Sequence, residues 1–367
     1  MKKIPLIRPY ITDEVKARVC DVLESGYLTE GPVTRELEDV FKMYIGCEHA
    51  LAVSSCTTGL EMALRSLGIG PGNEVIVPDY TYPATADVVA IVGAKIVLVD
   101  IEPDTMLIDY DRLEEAITER TKAIIPVSIF GNPLNYDRLA SIKQKYNLSI
   151  IEDAACAIGA EYKGNRVGNQ ADISVFSLHP RKFITTGEGG MITTHNHEWA
   201  DWMTSYKHFG MGVHESRLTT RFERIGTNYK MSNLLAAVGL VQMQHIDELL
   251  HRRLELAQQY LELLDGQTTI KIPETTQHGK HSYQSFCIFI TDRDEVMRQM
   301  RNQEIEVQIG TYALHQHPAF APSSYCRIHG NMSGSKYAFD HCLTLPLYHE
   351  LTREDQKRIV DTLASLL

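Results

Sequence analysis

The sequence predicts an α/β protein: a mostly parallel sheet in a three-layer sandwich, followed by a smaller α+β C-terminal part. Three observations predict it. Short β-rich runs alternate with helical patterns from about residue 50 to 195. Those runs are nearly continuous in apolar residues, as strands covered on both faces are. Beyond residue 232 a long helical stretch is followed by a second, shorter set of strands and helices.

The strands read as Glu74 to Pro78, Lys95 to Asp100, Ala123 to Val127, Leu148 to Glu152, Asp172 to Ser177 and Gly190 to Thr194. Between them, Thr57 to Leu67 puts Leu60, Ala63, Leu64 and Leu67 on one helical face. Asp111 to Glu119 and Tyr136 to Tyr146 carry similar patterns. Strands and helices in strict alternation demand crossover connections, and hence parallel pairing.

Ser232 to Leu264 is helical in composition, and one helix of that length would span about 50 Å, so a break and a domain crossing are expected there. We therefore divide the chain into a large domain, 1–248, and a small C-terminal domain, 249–367, with the N-terminal segment a candidate to pack on the latter. In the small domain, strands are expected over Tyr283 to Ile290 and Ile305 to Ile309. Helices are expected over Asp294 to Asn302 and from Thr352 onward. Pro318 to Gly334, rich in Pro, Ser and Gly, reads as a long loop.

Composition narrows the function. The 367 residues are 44% hydrophobic and 23% charged, enough to build a large core. Lys plus Arg number 36 against 47 Asp plus Glu, a net charge of -11 that argues against nucleic acid as a partner. No apolar run approaches the roughly 18 residues of a membrane span. The start, Met1 to Arg8, lacks the apolar core of a leader, so the protein reads as cytoplasmic and free of the membrane. Seven cysteines are scattered without a C-x-x-C pair, which argues against a disulfide framework or a structural zinc site. His195 and His197, and His315 and His317, are paired without carboxylate or thiolate company, so no metal is expected. Gly68 to Gly72 lacks G-x-G-x-x-G spacing and precedes a strand, so it is a turn rather than a dinucleotide fingerprint.

Three segments carry candidate chemistry. Ser177 to Gly190 (SLHPRKFITTGEGG) runs off a strand end, where α/β sheets bind ligands. Ser177 and Lys182 there suit a phosphorylated aldehyde, with the hydroxyl on the phosphate and the amine forming a Schiff base. A solvated surface lysine is the competing reading. Ile150 to Ala155 ends a strand in Glu152 and Asp153. A carboxylate there suits a protonated pyridine nitrogen; at about 4 Å and an effective dielectric of about 20 the pair is worth about 4 kcal/mol, about three pKa units. It also suits a cap on the next turn. Ser54 to Leu60 precedes an amphipathic helix and offers N–H groups and hydroxyls to an anion, or else an ordinary cap by Thr57 or Thr58.

Taken together in order and spacing, these segments make the chain resemble the sugar aminotransferases of the DegT/DnrJ/EryC1/StrS family. The resemblance runs nearly end to end. It includes Gly26 to Pro32 (GYLTEGP), Ala63 to Pro78 (ALRSLGIGPGNEVIVP), Glu152 to Ala160 (EDAACAIGA), the S-x-H-x-x-K-x-x-T-x-G-E-G-G lysine segment and Gly226 to Leu240 (GTNYKMSNLLAAVGL). It implies the aspartate-aminotransferase-like (type I) fold and pyridoxal 5'-phosphate (PLP) as cofactor. By position, Lys182 resembles the lysine that holds PLP as a Schiff base and then moves the proton. Asp153 resembles the partner of the pyridine nitrogen, and Tyr82 the aromatic stacked on the ring. Thr57 and Ser177 resemble phosphate ligands, aided by backbone N–H groups near Cys56. Asn228 resembles an asparagine that reaches the phosphate from a neighbouring subunit, which implies a homodimer with shared active sites.

Two positions depart from the family pattern. Cys56 stands where Gly often precedes the phosphate-binding Thr, and Cys156 where Gln or His often sits near the cofactor's phenolic oxygen. His179 and His315 are further candidates for substrate contact. The substrate loops would be Gly26 to Glu30, Phe209 to Thr220 and Gly310 to Pro322. The resemblance further implies L-glutamate as amino donor and a nucleotide-linked keto-deoxy sugar, 4-keto-6-deoxy in preference to 3-keto, as acceptor. Other readings stay open: a non-catalytic protein that binds PLP or a sugar nucleotide, and a PLP-dependent sugar 3-dehydratase, which would have His in place of Lys182. An NAD-dependent sugar enzyme would need the fingerprint that is missing.

Overall fold

The computed structural model describes residues 3–212 and 218–367. Most of the expected substrate loop Phe209 to Thr220 is described, but its residues 213–217, and residues 1–2 of the N-terminal segment, lie outside the described residues.

Two helices, α1 (Asp13–Ser25) and α2 (Pro32–Ile45), precede the first strand, β1 (His49–Val53). Then come α3 (Cys56–Ser66), β2 (Glu74–Pro78), α4 (Ala84–Ile91), β3 (Lys95–Val99), α5 (Tyr110–Ala116) and β4 (Thr121–Ile124). They are followed by α6 (Tyr136–Tyr146), β5 (Ser149–Asp153), β6 (Ile173–Ser177), β7 (Gly190–Thr194) and α7 (His197–Lys207). The expected helical stretch breaks at His245 into α8 (Asn233–Gln244) and α9 (Ile246–Leu264). The rest comprises β8 (Phe286–Phe289), α10 (Arg293–Asn302), β9 (Gln308–Ile309), β10 (Cys326–His329), α11 (Ser333–His341), β11 (Cys342–Leu345) and α12 (Arg353–Ala364), whose N-cap is Thr352.

The main sheet has the order β1-β7-β6-β5-β4-β2-β3-β10. All its pairings are parallel except those that β7 makes with β1 and β6. Alternation along each strand feeds two cores. Ile76, Val97, Val99, Ile124 and Ile150 point into one, and Val75, Val77, Ile96, Leu98 and Ala123 into the other. That is the three-layer sandwich expected of strands with no polar face.

A third core gathers Leu256 and Tyr260 of α9, Phe286 and Ile288 of β8, Leu343 and Leu345 of β11 and Ile359 of α12. Ile4 joins it: its N–H donates to the Glu304 carbonyl at 2.8 Å, and its carbonyl accepts from Glu306 N–H at 2.9 Å.

Two sequence readings need correction. Pro318 to Gly334 is not simply a loop. Within it β10 pairs in parallel with β3, Cys326 against Ile96 through His329 against Val99, and forms one edge of the main sheet. Four residues flanked by Ser and Gly carry too little apolar signal to be read as a strand. The strand expected over Tyr283 to Ile290 is confined to β8, because residues 281–285 leave the sheet to dock elsewhere, with Tyr283 at φ 51. β1, which the sequence reading did not contain, pairs with β7. Among the described residues no helix is long and apolar enough to cross a membrane.

Candidate active site

A cavity of about 590 Å³ opens at the carboxyl ends of β5 and β6, bounded on one side by α3 and on the other by residues 284–285, 308–312 and 344–347. Cys56, Thr57, Tyr82, Asp153, Cys156, Ser177, His179 and Lys182 all line it. Segments separated by more than 100 residues thus converge on one space.

The first wall is the start of α3. Ser55, not Thr57 or Thr58, is the N-cap: its Oγ accepts from Thr58 N–H at 3.1 Å, and Thr58 Oγ1 accepts from Ser55 N–H at 3.1 Å. This reciprocal cap fixes the turn and contributes about 1 kcal/mol. Cys56 and Thr57 therefore occupy the first helical turn, whose N–H groups have no partner within the helix and are of the kind that can hold an anion. The Cys56 thiol turns back to the sheet, with Sγ 3.6 Å from the Val175 carbonyl, and burial pushes its pKa well up. The side chain is held as a neutral apolar group off the backbone path. Gly190, at the start of β7, runs close beneath: a Cβ there would sit 2.6 Å from Ser55 C and 2.7 Å from Cys56 N.

The second wall is the end of β5, where the two acids separate. Glu152 is fully buried and accepts from three hydroxyls, Ser128 at 2.5 Å, Tyr136 at 2.6 Å and Ser174 at 2.9 Å; burial pushes its pKa up. Asp153 faces the cavity. Its Oδ2 accepts from Thr85 Oγ1 at 2.7 Å and its Oδ1 from Ala155 N–H at 3.1 Å, so it also caps the next turn. Burial raises its pKa against these hydrogen bonds and the nearby Lys182.

The third wall is the lysine segment. Ser177 ends β6, and its Oγ accepts from His179 N–H at 3.4 Å. Lys182 N–H donates to the His179 carbonyl at 2.8 Å, closing a turn that aims the side chain inward. Lys182 Nζ donates to Cys156 Sγ at 3.0 Å. Burial works against its ammonium form, but Cys156 and then Asp153 outweigh it, and the pKa lies above the ordinary value. His179 Nδ1 accepts from Arg181 N–H at 3.2 Å.

Tyr82 lies on the rim, two-thirds exposed, its ring 6.3 Å from that of Tyr312. Two candidates are not brought in. Asn228 accepts from Lys230 Nζ at 2.6 Å and pairs with His208, away from this chain's own cavity. His315 turns to the fully buried Asp79: its N–H donates to Oδ1 at 2.7 Å and its Nδ1 lies 2.6 Å from Oδ2, which raises the histidine's pKa. Residues 310–312 of the same segment do line the cavity. Sequence reasoning missed Thr85, Gln284 and the hydroxyls around Glu152; single Ser, Thr and Gln residues in unremarkable segments carry no pattern.

The donor set fits a phosphorylated pyridine aldehyde. Asp153 has no ion-pair partner within 4.0 Å among the described residues, so a buried carboxylate stands ready for a cation; across the same space lie a helix N-terminus and an amine.

Comparison with known proteins agrees with this geometry. The family model described as the DegT/DnrJ/EryC1/StrS aminotransferase family matches residues 9–364. The UDP-4-amino-4-deoxy-L-arabinose–oxoglutarate aminotransferase of Shewanella sediminis is 33% identical, over 99% of this chain and 98% of its own. DesV of S. venezuelae, solved with a ketimine intermediate, superposes with a TM-score of 0.93 at 32% identity, covering 100% of this chain and 99% of that one. Spr1654 of Streptococcus pneumoniae, in its PMP form, gives a TM-score of 0.93 at 30% identity, covering 100% and 98%; a PLP form gives 0.92. With its fold, its cavity and a match running almost from end to end, the chain belongs to the DegT/DnrJ/EryC1/StrS aminotransferase family.

Proposed function

We propose that this protein is a PLP-dependent sugar aminotransferase that moves an amino group from L-glutamate to a nucleotide-linked keto-deoxy sugar, with the 4-keto-6-deoxy class favoured. The observation that carries it is the convergence of Lys182, Asp153 and the α3 N-terminus on one cavity. The Shewanella relative, whose name pairs oxoglutarate with a UDP-linked 4-amino sugar, supports the donor and the ring position.

When bound, the cofactor supplies an electrophilic carbon and an electron-accepting ring that together make an amino acid's α-proton labile. Lys182 would hold that carbon and, once displaced, act as the base that carries the proton. Its pairing with Cys156 keeps the amine pointed into the cavity. Asp153 would keep the ring nitrogen protonated, with Thr85 fixing the carboxylate. Thr57, Ser177 and the N–H groups of Cys56 and Thr57 would take the phosphate, and Tyr82 would cover the ring.

Asn228 would act in the cavity of a second copy, in a cytoplasmic homodimer. Its position outside this chain's own cavity supports that arrangement. So do the exposed apolar residues in the chain leading up to it: Leu218 is 99% and Ile225 94% exposed, with Phe222 exposed as well.

The test is spectroscopic. Purified protein with PLP is mixed with L-glutamate, with Lys182→Ala alongside. Conversion of bound PLP to pyridoxamine phosphate in the wild type, and not in the variant, establishes the first half of the reaction; keto-sugar nucleotides are then screened as acceptors. Bound PLP that glutamate leaves unchanged would refute the donor or the catalytic reading. Absence of any PLP band would refute the role of Lys182.

A further inference from the structure

We propose that Gln284, a residue of the C-terminal part with no chemistry of its own, is a positioning residue for Lys182. The proposal rests on the reading of Lys182 as the cofactor's lysine. The buried Gln284 carboxamide spans that lysine. Its Oε1 accepts from Phe183 N–H at 2.7 Å, and its Nε2 donates to the Arg181 carbonyl at 2.9 Å. The backbone groups on both sides of Lys182 are thus held by one planar group carrying one donor and one acceptor in matching order. No other acidic or amide side chain of that length does both: a carboxylate could accept from Phe183 but has nothing to give Arg181.

The clamp is itself anchored. Arg253 of α9, also buried, donates through Nη1 to the carbonyls of Tyr283 and Gln284 at 2.9 Å each. Its guanidinium lies 4.8 Å from the centre of the Phe183 ring. On the other flank, Ser282 N–H donates to the Gly131 carbonyl at 3.0 Å, and Ser285 N–H to that of Phe130 at 3.3 Å. Gly131 has φ 99, and a Cβ there would sit 2.6 Å from Ser282 Oγ, so the strap lies against bare backbone. This docking is what takes residues 281–285 out of β8. Because the next residues enter β8 and the third core, the seating of that core on the main sheet sets where the lysine's main chain lies. Thr185, three residues on, is gripped in the same way by Gln242, whose Oε1 accepts from Thr185 N–H at 3.0 Å and whose Nε2 donates to its carbonyl at 2.8 Å. Gln242 belongs to α8 and leaves the two flanks of Lys182 to Gln284.

The experiment compares full-length wild type with Gln284→Met, which removes both bonds at similar size, and Gln284→Glu, which keeps only the acceptor. Hydrogen exchange of the 178–186 segment is followed in the cofactor-free protein, and the glutamate half-reaction in the PLP-loaded protein. The expected result is faster exchange in Gln284→Met with a kcat lowered about 10- to 100-fold and an unchanged glutamate KM, because misplacement of a reacting group by about 1 Å costs on that order. Gln284→Glu should fall between the two, and it carries the same readouts if the methionine variant does not fold. Exchange as slow as in the wild type, or fast exchange with an unchanged kcat, would overturn the proposal. A wild type that does not react with glutamate would instead refute the functional reading; borohydride trapping of PLP on Lys182, weaker in Gln284→Met if the clamp positions the amine, then replaces kcat as the second readout.

Discussion

Lys182 Nζ and Cys156 Sγ lie 3.0 Å apart, a nitrogen–sulfur hydrogen bond inside the cavity. Cys156 is a main reason that the amine keeps its proton against burial. Replacing it with alanine should therefore move the Lys182 titration down. In the cofactor-free protein, the pH midpoint for acylation of Lys182, read by mass spectrometry, should be lower in Cys156→Ala than in wild type. An equal or higher midpoint would show that the thiol does not hold the proton.

Asp153→Asn removes the cavity's carboxylate but keeps one acceptor for Ala155 N–H, while its NH2 faces Thr85 Oγ1, whose proton can turn to Thr81 Oγ1. The loss of ring protonation should lower kcat/KM for the glutamate half-reaction by about 10³-fold, the equivalent of about 4 kcal/mol. The melting temperature of the cofactor-free protein should change by only a few degrees. A variant that retains most of its activity would remove Asp153 from the mechanism.

Gly190→Ala tests the anion site without touching a side chain in it. The new Cβ would collide with backbone, Ser55 C and Cys56 N, and neither can rotate away. We expect a loss of about 1–3 kcal/mol in stability and about tenfold weaker PLP binding as the α3 start is displaced. Fluorescence titration with PLP and a thermal melt read the two effects separately.

The His315–Asp79 pair makes stability depend on pH. The folded-state pKa of His315 is raised by Asp79, so its contribution is complete below the unfolded value of about 6.5 and is lost as pH rises through the higher folded value. His315→Gln should therefore cost about 2 kcal/mol at pH 5.5 and less at pH 9. Urea unfolding at the two pH values measures it; an equal loss at both would mean that the neutral imidazole does the same work.

The sandwich was legible because its strands are apolar on both faces, and the placing of Lys182, Asp153 and the start of α3 on one cavity because each sits near where a strand ends or a helix begins. Legibility failed where structure depends on distant partners. β10 is four residues long and is a strand only because β3 lies beside it. Ser55 outcompetes Thr57 as the cap through a contact with Thr58 that spacing alone left open. Gln284 acts through two hydrogen bonds to a segment about 100 residues away and Thr85 through one to a carboxylate about 70 residues away, and neither leaves a periodic trace. His315 drew attention as a histidine near the cavity, but a buried aspartate 236 residues before it claims its ring.

The seam between β3 and β10 also governs how this chain can be made. A ribosome finishes β3 some 230 residues before it releases His329, so throughout that interval the sheet has a bare hydrogen-bonding edge. A nascent or truncated chain ending anywhere between α9 and β10 carries a complete lysine segment beside an unfinished border. Such fragments should associate through that border, and co-expression of a peptide containing residues 318–341 should keep them dispersed.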